Sequence, residues 1–521
     1  MSSSMAPEQS VIVVGAGPTG LTLACELAAA GVACTVLERR AAPADGWRSV
    51  TLYSRTLEVL QLRGHAEDLA AAGRPVDRMT VGSAPSIDFS GLDSPYPFVN
   101  VIPQSRTEEV LERRALDLGV TLQREAEVTE LRRDGEGVTL RVRTPAGEWD
   151  ERARYVVGCD GAGSAVRELA GIAFRGHTYA MAPLLADVRL RRPLPRDLLV
   201  LPGRGGIVVS VPYADGSYRL AVVRGGGEGG WRDEEATPEE FRARLAETLG
   251  HDPEPHEVRW LARFKIHQRI ADRYRAGRVL LAGDAAHLHS PLGGQGLNLG
   301  IQDAVNLGWK LAAEVRGWAA PGLLDSYEAE RRPQAERTLA ATDRATRLAA
   351  ATSPGRRLAR RGALVRLRSA RNRRRAAEVL TGLDTDYGSG VRGKAPHPGG
   401  RLPHVTVPLP GRPRVPAGEL MRDGRFLLLD ASADGAGAEL AEPWGDRVCA
   451  VRAGGPLPGL PGVAVLLVRP DAHLAWTTSG PDPAGLRAAL LHHCGPADSP
   501  SGQAGQAGPS DAARGREGGV G

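Results

Sequence analysis

A short β-branched run at residues 10–15 (SVIVVG) passes directly into Gly15-Ala16-Gly17-Pro18-Thr19-Gly20. A helical stretch, LTLACELAAA, follows, and then a second β-branched run, CTVLE, that ends on Glu38. Nothing else in the chain constrains the fold so tightly. Strand, glycine turn, helix and strand within 30 residues is the opening unit of a parallel, doubly wound sheet. The first glycine permits the tight turn, the second lets the backbone approach a pyrophosphate, and the third packs the helix onto its strand. The helix N-terminus then faces an anion. Glu38 lies 18 residues beyond Gly20, where an acid meets ribose hydroxyls. Gly31 falls where the helix end calls for a left-handed residue. The spacing predicts a dinucleotide site without saying which dinucleotide.

With 521 residues, the chain has room for three or four domains at roughly one per 150 residues. Hydrophobic residues make up 42% and charged residues 24%, ordinary for a globular protein. No uninterrupted apolar run reaches the roughly 18 residues needed to span a membrane. The opening MSSSMAPEQS has neither a basic nor an apolar segment, so no secretory signal is expected. Five scattered cysteines (25, 34, 159, 449 and 494) without a CxxC argue against a disulfide framework or a zinc site. They fit a reducing, cytoplasmic setting. The net charge of +5 conceals a skew, with only three Lys (265, 310 and 394) against 63 Arg. That skew, with abundant Ala, Gly and Pro, points to GC-rich codon usage rather than to nucleic-acid binding. Residues 356–375 hold ten Arg, with Leu358, Leu364, Val365 and Leu367 at helical spacing. They read as an amphipathic helix with a solvated basic face.

Residues 54–63 and 105–118 read as helices, and 126–150 as a meander of strands. A buried strand at 154–158 leads into Cys159-Asp160-Gly161. Residues 175–270 alternate short strands with Gly/Pro turns around one helix at 238–249. A further strand at 278–283 precedes a long helix at 297–316. Strands FLLLD, RVCAV and AVLLV and a helix near 484–493 form a last module. The expected division is 10–174 and 271–392 for the two parts of a nucleotide-binding domain. Segment 79–104 lends to the sheet of a substrate domain at 175–270, 393–418 is a linker, 419–494 is the last module, and 495–521 is a disordered tail.

Two further motifs carry chemistry. Asp160, with Gly161, Ser164 and Arg167, sits on a strand-to-helix turn, which reads equally well as a capped turn and as a ligand site. The longer motif, GDAAHLHSPLGGQGLNLGIQDAVNLGWKLA (283–312), places Asp284 after a buried strand. Pro291, Gly293, Gly294 and Gly296 then make a tight turn that opens the long helix, whose free N–H groups present positive charge. His287 and His289 lack a third ligand and read as structural.

These three motifs in this order resemble the single-component (class A) flavoprotein aromatic hydroxylases. Residues 283–312 look most like the branch that acts on aromatic polyketides and on rifamycin- or tetracycline-type antibiotics. The resemblance implies an α/β fold: a Rossmann-type FAD-binding domain, an inserted mixed β-sheet substrate domain and a C-terminal thioredoxin-like domain without redox cysteines. It implies non-covalent FAD, with Gly15, Ala16, Gly17, Gly20, Glu38 and the adjacent Arg39 on its ADP half and Val128 beside the adenine. Asp160 would serve FAD and NADPH, and Asp284 the ribityl chain. Arg48 matches the arginine near the pyrophosphate and NADPH path, and Gln104 the glutamine on the flavin side. Pro291, Gly294, Gly296, Leu297 and Asn298 complete the site under the flavin. Ser290 departs from the pattern, because many relatives carry proline there.

The implied activity is FAD- and NAD(P)H-dependent hydroxylation of a polycyclic, polyketide-type phenol, with molecular oxygen and NADPH as co-substrates, in antibiotic biosynthesis. Hydride transfer reduces the flavin, and oxygen then gives a C4a-hydroperoxide that the electron-rich ring attacks. The cofactor carries the hard step, so no catalytic side chain is assigned. No metal, nucleic acid or membrane partner is expected, and the protein would be a monomer or homodimer. Antibiotic inactivation, a Baeyer–Villiger outcome and a flavin-free Rossmann binding protein stand as alternatives. A flavin halogenase is disfavoured, since no Lys precedes residue 265 and no two Trp lie two apart. Ten aromatics lie in or near the substrate segments: Phe89, Tyr96, Phe98, Tyr179, Tyr213, Tyr218, Trp231, Phe241, Trp260 and Phe264. Some of them could line a flat pocket, although most aromatics in sheets are simply core.

Overall fold

The computed structural model describes residues 9–43, 49–204, 206–224, 235–349, 354–388 and 396–497. Arg48 and Trp231 lie outside the described residues, as does the expected tail from 498 onward.

The core is an eight-stranded sheet. Its parallel centre runs Val279–Leu281, Gly147–Gly158, Gln9–Val14, Cys34–Glu38 and Thr121–Arg124. The sequence suggests a meander followed by a separate strand, whereas Gly147–Gly158 is a single strand of 12 residues. Its first half pairs antiparallel with Val138–Thr144 and its second half parallel with Gln9–Val14. Val11, Ile12 and Val13 have no exposed surface, as expected for a strand covered on both faces. Helix Pro18–Ala29 ends at Ala30, with Gly31 at φ +73 as the left-handed residue beyond. The long helix Gly296–Arg316 is buried almost throughout. It approaches helix Pro18–Ala29 so closely that a Cβ on Gly308 would lie 2.5 Å from the Glu26 Cβ.

The inserted sheet has seven strands in the order Pro255–Arg263, Leu184–Leu190, Tyr218–Arg224, Gly206–Pro212, Leu198–Gly203, Arg78–Val81 and Ile87–Asp88. One face packs on helix Pro238–Leu249 through Val208, Leu220, Val222 and Phe241. Of the segment expected to lend to this sheet, Val99–Val101 pairs elsewhere, with Thr51–Leu52 and Arg74–Val76. The last module is a mixed four-stranded sheet. Phe426–Asp430 runs parallel to Val448–Arg452 across helix Ala436–Leu440, then Val465–Val468 and Leu474–Thr478 add antiparallel before helix Pro483–Cys494. This is the thioredoxin-like order expected for it. The five cysteines are unpaired.

The basic run at 356–375 is two helices, Pro354–Arg366 and Ala370–Thr381. Leu358 and Val365 are 69% and 59% exposed, so the apolar stripe expected to anchor one helix is only partly used. At the other end, Trp444 Nε1 donates to the Gly495 carbonyl at 2.9 Å, and Arg447 Nη1 to that of Pro496 at 2.8 Å. Ordered packing therefore continues past residue 494.

Candidate active site

The three glycines of the first motif are needed for three different reasons. Gly15 has φ +107, and a Cβ there would lie 2.5 Å from the Cys159 carbonyl oxygen. A Cβ on Gly20 would lie 2.0 Å from the Gly15 oxygen. A Cβ on Gly17 would meet nothing within 4 Å, so this glycine keeps a space open rather than allowing protein to pack. Helix Pro18–Ala29 has no side-chain cap and no acid in its first turn. Its first N–H groups therefore present unneutralised positive charge toward that space.

Glu38 closes the second strand and is buried. Its carboxylate accepts the Ala16 N–H at 2.8 Å and the Arg40 N–H and Nε–H at 3.0 and 2.9 Å. Burial opposes ionisation, but these bonds hold the carboxyl below its ordinary range. Asp160 caps helix Ala165–Leu169, accepting the Ser164 hydroxyl and the Val166 N–H, while burial raises its carboxyl. The capped-turn reading holds, and Asp160 also lines the central cavity. Buried Arg167 donates from Nη1 to the Ala285 carbonyl at 3.0 Å and so joins this turn to the next motif.

Asp284 stands on the one-turn helix Gly283–Ala285, braced from behind. Asp303 Oδ2 accepts the Gly283 N–H at 3.1 Å and lies 2.6 Å from His287 Nε2. Asp303 Oδ1 accepts Arg331 Nε at 2.7 Å. Asp303, His287 and Arg331 have no exposed surface. Burial works against the Asp303 charge, but Arg331 and His287 keep its carboxyl low. The following turn is built from Gly293 and Gly294, at φ +106 and +60, with Tyr53 OH donating to the Gly293 carbonyl. Ser290 Oγ accepts the Leu292 N–H at 3.4 Å, so the departure at this position leaves the turn formed.

A single cavity of about 1180 Å³ runs along all these groups. Gly15, Gly17, Glu38, Arg39, Gln104, Val128, Asp160, Asp284, Pro291, Gly294, Gly296 and Leu297 line it. Three expected residues do not. Ala16 reaches the site through the N–H bonded to Glu38, and Gly20 is spent on packing against Gly15. The Asn298 side chain is consumed by protein, accepting the Tyr53 N–H at 2.8 Å and donating to the Thr51 and Gly294 carbonyls, each at 3.0 Å. For most of the aromatics the core reading holds, and they form no floor to the cavity. Of the aromatics named above that lie in described residues, Phe264 lines the cavity and the rest do not. Tyr218 faces helix Pro238–Leu249, and Tyr213 and Trp260 pack around the buried Arg219–Asp187 pair. The wall is instead aliphatic, made by Ile207, Val209, Val211, Leu198, Ala221 and Val223. Alternation along the strands sends these side chains to one face.

Sequence reasoning missed two parts of the site. Asn372, Arg375, Ala376, Val379 and Leu380 form a cavity-facing stripe on helix Ala370–Thr381 at helical spacing. The stripe begins inside the run read as an amphipathic helix with a solvated basic face and continues beyond it. His289, read as structural, lines the cavity. Its Nδ1 lies 2.8 Å from the Ser290 carbonyl, which only accepts, so Nδ1 carries the proton and Nε2 a lone pair. Nε2 is buried and has no hydrogen-bond partner among the described residues. Burial lowers the imidazole to about 4, which keeps it neutral. Nε2 and Asp284 Oδ1 converge over Gly296, 3.5 and 3.8 Å from where its Cβ would stand. The open space at Gly17, the bare helix start, the acid at Glu38 and these acceptors fit a flavin dinucleotide.

Comparison with known proteins agrees with this geometry. A family described as FAD binding domain matches residues 8–342, and one described as aromatic-ring hydroxylase, C-terminal, matches residues 395–497. The chain belongs to the FAD-binding aromatic-ring hydroxylases. It is 40% identical over 502 residues to the 12-dehydrotetracycline 5-monooxygenase/anhydrotetracycline 6-monooxygenase of Streptomyces rimosus, covering 93% of this chain and 99% of that one. It is 39% identical over 479 residues to the rifampicin monooxygenase of Streptomyces venezuelae, covering 89% and 95%. The solved structure of CabE, an aromatic hydroxylase from angucycline biosynthesis, matches with a TM-score of 0.83 and 37% identity, covering 94% of this chain and all of that one.

Proposed function

We propose that this protein is an FAD- and NAD(P)H-dependent monooxygenase that hydroxylates a polycyclic, polyketide-type phenol in antibiotic biosynthesis. One observation carries the reading. The cavity that begins at Gly17 and Glu38 continues past Asp284 and ends against the aliphatic wall of the inserted sheet. At about 1180 Å³ it exceeds the roughly 300–1,000 Å³ of a site for one small ligand, so a dinucleotide and a wide flat substrate fit together. The relatives' activities support the same substrate class.

Bound flavin supplies the redox and oxygen chemistry. The chain's own residues bind and orient. The bare start of helix Pro18–Ala29 and Glu38 would hold the ADP half, and Asp284 the ribityl chain. The turn at 291–296 would hold the ring, and the N–H groups of the long helix would favour negative charge on the reduced flavin. The sheet wall excludes water from the reacting face. Arg219, held by Asp187 at 2.8 and 2.7 Å, is the one charge on that wall among the described residues.

The test is a panel of anthraquinone- and angucycline-type phenols, single-ring phenols, a tetracycline and a rifamycin. NADPH consumption is scored against hydroxylated product and hydrogen peroxide, with NADH run in parallel. Coupled turnover of a polycyclic phenol is expected. Coupled turnover of single-ring phenols alone would overturn the substrate class, and turnover of the rifamycin or tetracycline alone would replace biosynthesis by inactivation. A purified protein without FAD would sink the whole reading.

A further inference from the structure

No residue of the C-terminal module lines the cavity. Yet the module is joined to the Asp284 turn by two sets of buried and half-buried polar contacts. The two sets meet on adjacent residues of helix Ser326–Ala349. Arg331 faces the flavin side, donating to Asp303, which holds the Gly283 N–H behind Asp284. Glu330 faces the module, accepting Arg469 Nη1 and Nη2 at 2.7 and 2.8 Å. Arg469 is fixed in turn by Asp471 at 2.6 Å. Lys310, fully buried on the long helix, donates to Glu330 at 2.7 Å.

A second strut runs alongside. The Tyr387 hydroxyl accepts Arg331 Nη1 at 2.9 Å. Its ring lies on His473 of the module, with centroids 4.2 Å apart, and Arg469 sits 5.4 Å above it. The Tyr387 N–H donates to Gly399, whose own N–H donates to Leu474 in the module's sheet. Arg331 thus has one donor on the turn's anchor, one on Tyr387, which packs against the module, and a third, Nη2, on the Leu299 carbonyl of the long helix, at 3.2 Å. Buried ions in one network have few alternative partners, so moving one moves its neighbours.

We infer that the C-terminal module acts as a positioning element for the flavin site, setting the Asp284 turn through Arg469–Glu330 and Tyr387–Arg331–Asp303 without touching the cofactor. This gives a role to a thioredoxin-like domain that has no redox pair, and it rests on the reading of the Asp284 turn as a flavin contact.

The test compares three variants of the full-length holoenzyme. FAD release on dilution is followed by flavin fluorescence, and the visible spectrum is recorded at saturating FAD. Tyr387→Phe removes one hydroxyl and keeps the ring. It is expected to raise the FAD dissociation constant roughly three- to tenfold and to shift the flavin spectrum. Arg469→Gln is expected to weaken binding by roughly tenfold or more. Leu467→Ala, in the module's core with no exposed surface, lowers the melting temperature while leaving FAD affinity and spectrum unchanged. If Arg469→Gln does not fold, the other two decide. Wild-type affinity and spectrum in Tyr387→Phe, or equal FAD loss in Leu467→Ala, would overturn the inference while leaving the flavin site intact. A wild-type chain that binds no FAD would overturn both.

Discussion

The Asp303 carboxylate lies 2.6 Å from His287 Nε2, and both side chains are sealed from solvent directly behind the turn that carries Asp284. The motif's two acids therefore divide the work. Asp303 fixes the backbone of the turn, and Asp284 lines the cavity. Removing each should have a different signature. Asp284→Ala should weaken FAD binding by about 1.5–3 kcal/mol, the value of a hydrogen bond to a charged group, which is roughly ten- to hundredfold. It should lower the melting temperature of the flavin-free protein far less than Asp303→Ala, which strands Arg331 and His287 in the interior. Released-flavin fluorescence and calorimetry measure the two effects, and equal melting losses would refute this division.

A similar contrast holds within the first motif. Gly20→Ala puts a methyl 2.0 Å from the Gly15 oxygen, which is backbone and cannot yield cheaply. The flavin-free fold should lose roughly 1–3 kcal/mol, as overpacked sites do. Gly17→Ala meets no protein atom within 4 Å, and its φ of −79 suits alanine. Its melting temperature should stay near wild type while FAD retention falls, because the methyl enters the open space that the proposed site gives to the pyrophosphate. Thermal melts with and without added FAD separate the two, and wild-type FAD retention in Gly17→Ala would disprove the role given to that space.

Acid lability should follow from four histidines. Burial lowers His65, His289, His473 and His493 each to about 4, against an ordinary 6.5. Below pH 6.5 the unfolded chain takes up protons that the folded chain refuses. Stability from these groups is therefore complete above about pH 6.5 and is lost progressively as pH falls toward 4. Carboxylates such as Glu330, where burial is outweighed by Arg469 and Lys310 to give about 2, add their loss only below 4.5. Melting temperature should therefore fall already between pH 6.5 and 5. In His289→Gln that fall should be shallower. An identical slope in the variant would show that His289 is not held neutral by the fold.

The first motif was legible because its constraints are local. Each glycine answers to a dihedral or to an atom a few residues away, and Glu38 returns to the turn through Ala16. The strands of the inserted sheet were legible from alternation, but their aromatics were not assignable to a face, since Tyr213 and Tyr218 turn to opposite sides of a hairpin. The buried arginines were not legible individually. The Arg surplus reads as codon usage, yet Arg55, Arg331 and Arg469 are almost wholly buried in ion pairs. Nothing local marks them, because Arg469 meets Glu330 across 139 residues of sequence. Helix Ala370–Thr381 was hidden in the same way, its cavity-facing stripe masked by the run of Arg around it.

On the proposed reading the sheet wall sets the width of the substrate, and a single substitution offers a sharp test. Val209 lies at the centre of strand Gly206–Pro212, flanked on the same face by Ile207 and Val211 and opposite Ala221 on the neighbouring strand. All four line the cavity. A small residue opposite Val209 leaves a flat floor on which a multi-ring plane can lie. Val209→Trp fills that floor without touching Gly17, Glu38 or Asp284, so FAD content and melting temperature should stay near wild type. Anthraquinone- and angucycline-type phenols should then no longer perturb the flavin spectrum, while single-ring phenols still bind or bind better. If the multi-ring compounds perturb the Val209→Trp spectrum as they do wild type, their plane lies elsewhere and the sheet wall is not the substrate floor.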